Sequence, residues 1–236
     1  MNTNNTLSIL KAKERKLRQQ IIIDAAREVF GQKTYDKASM AEIAKAAGIA
    51  KSSIYTYFKS QEELYAKIAY MDSCNFIEDL QSRIHKAGMG QAGLDQAGLD
   101  QAGRKQPDKD QVGMDRGENY VKICVTHFLA YYIDHTAQWR MITHFALHGN
   151  KDMAAVDQLN EIGRRLMDLF ESVFKKLGCD RESRILAHTL FACLSGILIA
   201  FRNYPGRTEA ERIAHMTRIG DVVEAMVLSL ALKEKV

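Results

Sequence analysis

Proline is nearly missing from this chain. Its 236 residues include two, Pro107 and Pro205, where an average usage of ~5% would give about 12. Sandwiches and barrels need turn punctuation every ~8–12 residues, so the scarcity excludes them and favours long helices. Glycine totals 15, but seven of these fall between residues 88 and 117, which leaves the remainder of the chain poor in it. Cysteine occurs four times, at Cys74, Cys124, Cys179 and Cys193, with no CxxC pair. That scatter excludes a disulfide framework and reads as reduced core thiols of a cytoplasmic protein. Residues 1–5 are polar and no signal-like apolar stretch follows them; the longest apolar run, about 190–201, is short for a bilayer. Secretion and membrane insertion are not expected. A Gly-rich phosphate loop, a GxSxG elbow and an HExxH pair are also lacking. The chain is therefore not expected to be an enzyme or to hold a cofactor.

The residues present are those of a globular protein, 46% hydrophobic and 26% charged. The net charge of +4 is unevenly divided. Residues 1–60 carry 11 Lys and Arg against 5 Asp and Glu, a balance of +6, so residues 61–236 carry −2. A basic end on a near-neutral body suggests a polyanion-binding module joined to something else.

Helical periodicity runs almost throughout. Leu17, Ile21, Ala25 and Val29, with Ile22, Ala26 and Phe30 beside them, predict a helix over 13–33. Ser39 followed by Glu42 has capping-box spacing and opens a short helix that stops at Gly48. A third helix is expected over 50–58 and a fourth from Gln61 towards His85. Residues 88–116 break the pattern: QAGLD occurs at 91–95 and 96–100, and QVGMD at 111–115. A five-residue period matches neither helix nor strand, so the segment reads as a flexible insertion. Helices are predicted again over about 118–135, 139–148, 151–177, 181–203 and 208–232. The fold class is all-α, with about nine helices. A three-helix module spans 13–60 and a larger helical body spans 61–232.

Residues 39–58 have the arithmetic of a helix-turn-helix. A short helix, a glycine turn and a second short helix place Ile43, Ala44, Ile49 and Ile54 where two crossed helices must touch. Such a second helix fits a major groove about 12 Å wide. Lys51, Ser52, Ser53, Tyr55, Thr56 and Tyr57 would face outward, all able to hydrogen-bond. A solvated basic face without a partner is the plainer alternative. At these residues the chain resembles the TetR (tetracycline-repressor-like) family of transcriptional regulators. The resemblance rests on Ile22-x2-Ala25-Ala26-x2-Val29-Phe30, Tyr35, Ser39-Met40-x2-Ile43-Ala44-x2-Ala47-Gly48-Ile49, Ile54-Tyr55-x-Tyr57-Phe58 and Glu62-Glu63-Leu64, across roughly residues 15–65.

The resemblance implies that Lys51, Ser52, Tyr55 and Thr56 approach bases, and that Ser39, Ser53, Tyr57 and Lys59 hold phosphates. Three positions depart from the family pattern: Thr34 replaces a glycine, Met40 a threonine and Gln61 a lysine. The last two remove expected backbone contacts and imply a weaker salt dependence than is usual for the fold. The resemblance also implies a ligand-responsive regulator, a repressor released from a palindromic operator in double-stranded DNA by a small effector. An apolar or amphipathic effector would suit a cavity among His127, Phe128, Tyr131, Trp139, Met141, His144, Phe145, Phe170, Phe174 and Phe191, although such residues are also ordinary core. His144 and His148 are four apart, but no carboxylate completes a metal set and none is expected. The last two helices are more apolar than one core face requires. Leu194, Ile197, Leu198, Phe201, Ile219, Val223, Met226 and Val227 are the expected homodimer surface, with Ser195 and Gly196 allowing close approach. An activator, a sequence-tolerant DNA binder and, more remotely, a small-molecule enzyme are the alternatives.

Overall fold

The computed structural model describes the backbone of residues 3–33, 35–96, 109–148 and 153–233, and side chains over 6–33, 35–88, 119–144 and 157–233. The described residues form nine α-helices and one 3-10 turn, with no strand among them. In order these are α1 (Thr3–Gln32), the turn Tyr35–Lys37, α2 (Met40–Ala46), α3 (Lys51–Ile54) and α4 (Gln61–Gln96). They continue with α5 (Lys109–Asp134), α6 (Thr136–His148), α7 (Met153–Lys176), α8 (Ser183–Phe201) and α9 (Glu209–Lys233).

Three boundaries differ from the sequence reading. α1 starts ten residues earlier, because residues 3–12 contain no breaker, while their few apolar side chains, Leu7, Ile9 and Leu10, are too short a run to set a helical period. α3 is a single turn, and residues 55–58 continue as turns in which Tyr57 and Phe58 donate their N–H groups to the Ile54 carbonyl. The glycine-bearing repeat is helical at both ends, with α4 running to Gln96 and α5 starting at Lys109. Ala, Gln and Leu favour helix enough to carry one glycine in five, at about 1 kcal/mol each. Residues 97–108, the middle of the expected insertion, lie outside the described residues.

The chain divides into two compact units. The first holds Met1–Ser73 and Thr136–Asn160, and the second Cys74–His135 and Glu161–Val236. In the first unit, Ile22, Ile23, Ala26 and Phe30 of α1 pack with Ile43 and Ala44 of α2, Ile54 of α3, Leu64 and Ile68 of α4, and Met141 of α6. Met40 is buried in this core, so its departure from threonine is a packing residue and not a surface one. Arg140 of α6 donates to the carbonyls of Phe30 and Gly31, at 3.3 and 3.2 Å. The last carbonyls of a helix have no partner within it. A guanidinium from α6 therefore partners carbonyls at the end of α1, where the chain departs from the family's glycine; Thr34 itself lies outside the described residues. Gln61 is likewise engaged: its side-chain amide donates to the Tyr35 carbonyl at 2.8 Å.

In the second unit α5, α8 and α9 pack on one another. Val121, Val125, Phe128 and Leu129 of α5, Leu190, Leu194 and Leu198 of α8, and Val223 and Val227 of α9 are all buried. By length and composition α8 could cross a membrane, but Leu186, Ala187, Leu190, Leu194, Ile197 and Leu198 are buried in this packing and it is a core helix. None of the four cysteines is in a disulfide; burial pushes the Cys124 thiol up to about 12, which makes it inert. Close approach of α5 and α9 depends on Gly220, not on Gly196, around which a side chain would meet nothing. A Cβ at Gly220 would stand 2.6 Å from Leu129 Cδ1 and 3.2 Å from Val125 Cγ1. Gly220→Val is expected to destabilise by about 2 kcal/mol, since overpacking costs 1–3 kcal/mol and the helix propensity regained is only a few tenths. A thermal melt should show a loss of about 4–8 °C.

Candidate nucleic-acid interface

The geometry of α2 is set by its cap. The Ser39 Oγ accepts the Glu42 N–H at 3.3 Å, and Glu42 Oε2 accepts the Ser39 N–H at 3.0 Å, a complete capping box. Lys33 and Ser39 hold the Glu42 carboxyl below its ordinary range, so the box stays charged at neutral pH. Gly48, at φ 67°, reverses the chain where a β-carbon would strain the backbone. Ile54 then plugs the core at 0% exposure, and this fixes the rotation of α3.

That rotation turns the remaining side chains outward. Lys51, Ser52, Ser53, Tyr55, Thr56 and Lys59 are all exposed. Ser39, Lys51, Tyr55 and Lys59 line one shallow groove, with Met40, Ala41, Ser60 and Gln61 completing it. Four of the eight residues singled out in the sequence are thus brought together by two separate elements. Tyr57 differs, being half-buried against the core with the Arg15 guanidinium 5.4 Å over its ring. The sequence marks Arg15 only as one of the basic residues at the entry of the first helix; its partner Thr56 lies 41 residues away and no local spacing links them.

A second tie holds this module. Arg27 of α1 pairs with Asp72 of α4 at 2.6 Å, with the Asp72 side chain only 4% exposed. Neither residue stands in a motif, so the pair was invisible in the sequence.

The residues named for an effector fall in both units. Trp139, Met141 and His144 belong to the first, where Met141 fills the core and the His144 ring lies 4.5 Å from Tyr35 and 5.6 Å from Tyr65. Phe145 is on α6 of the same unit, and its side chain is outside those described. His127, Phe128, Tyr131, Phe170, Phe174 and Phe191 belong to the second unit. There Phe76 of α4, in the sequence only one apolar residue of a helical period, is the hub. Its ring stacks on His127 at 5.4 Å and meets Phe128 at 5.6 Å and Tyr131 at 4.9 Å. Phe128 meets Phe191 edge-on at 6.1 Å, and Phe170 and Phe174 are wholly buried. His127 also borders an open groove with Asp79, Arg83, Thr126, Tyr131 and His135. Its Nε2 lies 3.1 Å from Asp79 Oδ2, near enough for an ion pair though not aligned for a hydrogen bond. Among the described residues no cluster of three metal-ligating side chains occurs.

Burial holds the His127 imidazole below its usual 6.5, Arg83 lowers it further and Asp79 opposes both. The folded state thus resists protonation while the unfolded chain accepts it. The stability His127 contributes is complete above about pH 6.5 and lost as pH falls through the lowered value. His127→Gln is expected to flatten the acid limb of a melting-temperature profile between pH 7.5 and 5, compared with the parent chain.

Of the expected dimer residues, Leu194, Ile197, Leu198, Val223 and Val227 are buried within the protomer, Phe201 and Ile219 are half-buried, and Met226 is exposed. The apolar side chains these two helices leave exposed are Met226 of that set, with Ile185 and Ile199 of α8 and Val222 and Leu230 of α9. Two apolar faces per helix had to be told apart, and periodicity alone does not say which one the protomer keeps.

A three-helix core that presents a short, polar second helix bearing Lys51 defines a helix-turn-helix module. Residues 22–68 match the family model of bacterial regulatory proteins, tetR family. The likeness to that family is carried by this module, about a fifth of the chain. A fatty acid metabolism regulator protein of Bacillus subtilis is 35% identical over 72 residues, covering 30% of this chain and 37% of that one. The matched stretch thus spans little more than a third of that relative. Over the whole fold, FadR from Bacillus subtilis, solved with stearoyl-CoA, superposes with a TM-score of 0.60 at 15% identity, covering 86% of this chain and 96% of that one. AibR, solved with isovaleryl coenzyme A and operator DNA, gives 0.57 at 18% identity, covering 86% and 97%.

Proposed function

We propose that this protein is a ligand-responsive transcriptional repressor that binds a palindromic operator as a homodimer and is released by an acyl-chain effector. The observation that carries the reading is the exposed set Lys51, Ser52, Tyr55 and Thr56 beside the Ser39 cap, held by a core that leaves α3 no other orientation. Lys51, Ser52, Tyr55 and Thr56 reach base edges, and Ser39, Ser53, Tyr57 and Lys59 hold phosphates. The module spans residues 13–60, and residues 61–232 supply the effector and dimer functions in the cytoplasm. No catalytic activity is assigned.

Acyl-CoA thioesters fit the preference for an amphipathic effector, because structural neighbours were solved with stearoyl-CoA and isovaleryl coenzyme A. The aromatic group around Phe76 and Phe128 supplies apolar surface for an acyl chain, and His127 a polar edge. α4 contributes residues to both units, so its displacement by a bound ligand would reach the module. Energy for release comes from the effector's preference for one α4 position over the other. Dimerisation through Ile199, Val222, Met226 and Leu230 would cover the apolar side chains left exposed.

The test is titration of the chain–operator complex with stearoyl-CoA and with isovaleryl-CoA in a band-shift or anisotropy assay. Release at saturating acyl-CoA, with free coenzyme A inert, supports the scheme. Unchanged operator binding at saturation with either would end the induction claim and leave the DNA-binding claim standing.

A further inference from the structure

α1 is two structures in one helix. From Ile22 onward its inner face is sealed in the core, with Ile22 at 1% and Ala26 at 0% exposure. From Thr6 to Arg18 every residue is exposed. A helix of that length without tertiary support is marginal in water. Residues 1–18 hold five basic side chains, Lys11, Lys13, Arg15, Lys16 and Arg18, against Glu14 alone, a surplus of four that equals the net charge of the whole chain.

One contact orients this arm. Arg15 Nη2 donates to the Thr56 carbonyl at 3.0 Å and its guanidinium lies over the Tyr57 ring. Thr56 and Tyr57 directly follow α3, so Arg15 marks the side of α1 that faces the reading segment. In an α-helix, residues four before and three and seven after share that side. These are Lys11, Arg18 and Ile22. The burial of Ile22 in the core of the same module confirms the direction independently. Arg18, hydrogen-bonded to Glu14 at 2.9 Å, borders Tyr57 as well. Lys11 stands one turn, about 6 Å along the axis, beyond Arg15 on this side. Lys13 is roughly 200° around the helix from Lys11 and faces away.

We propose that the N-terminal half of α1 is a second DNA-contacting element, in which Lys11, with Arg15 and Arg18, binds phosphates of the duplex flanking the bases read by α3. The inference rests on the DNA-binding reading of the module and extends it to a surface that reading does not use. Charge selects the partner: a helix with five cations and one paired carboxylate complements a polyphosphate, one negative charge per ~1.7 Å of duplex. Contacts of this kind add affinity without adding sequence choice. They also restore salt dependence that Met40 and Gln61 remove.

The experiment compares the full chain with Lys11→Ala and Lys13→Ala on a duplex selected by the full chain from random-sequence DNA. The duplex is used with 10-base-pair flanks and with the flanks trimmed, each across a salt series. Lys11→Ala is expected to weaken binding about 3- to 10-fold and to lower the log–log salt slope by about 1 per bound module. It should also make binding insensitive to trimming, whereas Lys13→Ala should behave like the full chain. Both lysines lie on an exposed arm, so both variants should melt like the parent. Equal losses from the two variants, or a full chain indifferent to trimming, would overturn the proposal. A loss from Lys11→Ala with unchanged slope and an altered oligomeric state would overturn it too, assigning the arm's exposed Leu7, Leu10 and Leu17 to a protein contact. If the full chain selects no duplex at all, the DNA-binding reading itself has failed.

Discussion

Lys51→Ala combined with Tyr55→Ala is expected to weaken operator binding about 100-fold or more, at 1–3 kcal/mol for each good base contact, while leaving the melting temperature unchanged. Both side chains are exposed and line one groove with Ser39 and Lys59. Neither belongs to the core, which is closed by Ile43, Ala44 and Ile54 at 1% exposure or less. A surface double substitution away from such a core should stay within about half a kilocalorie of the parent in stability. The two readouts therefore separate. Affinity for non-specific DNA should fall much less, because Tyr55 carries no charge and only one lysine is lost per module. Equal losses on specific and non-specific duplexes would show that these side chains bind phosphates and do not read bases.

Arg27→Met is expected to cost about 3 kcal/mol, the low end for breaking a buried ion pair, and to lower the melting temperature by about 6–12 °C. The cost arises on the partner's side. Asp72 is 4% exposed and loses the guanidinium 2.6 Å away, whereas Arg27 itself is 32% exposed and could reach water. A methionine preserves the length of the side chain but supplies no donor. Arg27→Lys should recover part of the loss, since it restores the charge but not the fork geometry. Arg18→Met breaks an ion pair of similar length, to Glu14, that is exposed on both sides; it should leave the melt unchanged. Because the Arg27–Asp72 pair ties α1 to the start of α4, operator affinity should fall along with stability in Arg27→Met. The Lys51/Tyr55 variant shows no such coupling.

What could be read from the sequence was local. The S-x-x-E box, Gly48 and the apolar spacing through Ile54 each act within a few residues, and together they located the helix-turn-helix and its outward side chains. Nine helices followed from the scarcity of proline and from the 3.6-residue period. Features that depend on distant partners stayed hidden. Arg140 caps α1 from 110 residues away, Gly220 accommodates Leu129 across two helices, and Arg15 finds Thr56 only after the chain has turned twice. The apolar residues of α8 and α9 show the limit differently. Both faces of each helix are apolar, and of the residues expected at the dimer surface the protomer buries Leu194, Ile197, Leu198, Val223 and Val227 while leaving Met226 exposed. A short arm with only Leu7, Ile9 and Leu10 as apolar residues also escapes periodicity, which is why the helix before residue 13 was missed.

The central claim is sequence-selective recognition by α3, and a competition measurement tests it most directly. The full chain is bound to a labelled duplex recovered by selection from random-sequence DNA, at about 0.15 M salt, then challenged with unlabelled copies of the same duplex or with a scrambled one. A regulator should prefer the selected duplex by about 1,000-fold or more, and Lys51→Ala with Tyr55→Ala should collapse most of that preference. Equal competition by the two duplexes would contradict the account and leave a basic, sequence-tolerant DNA binder in its place.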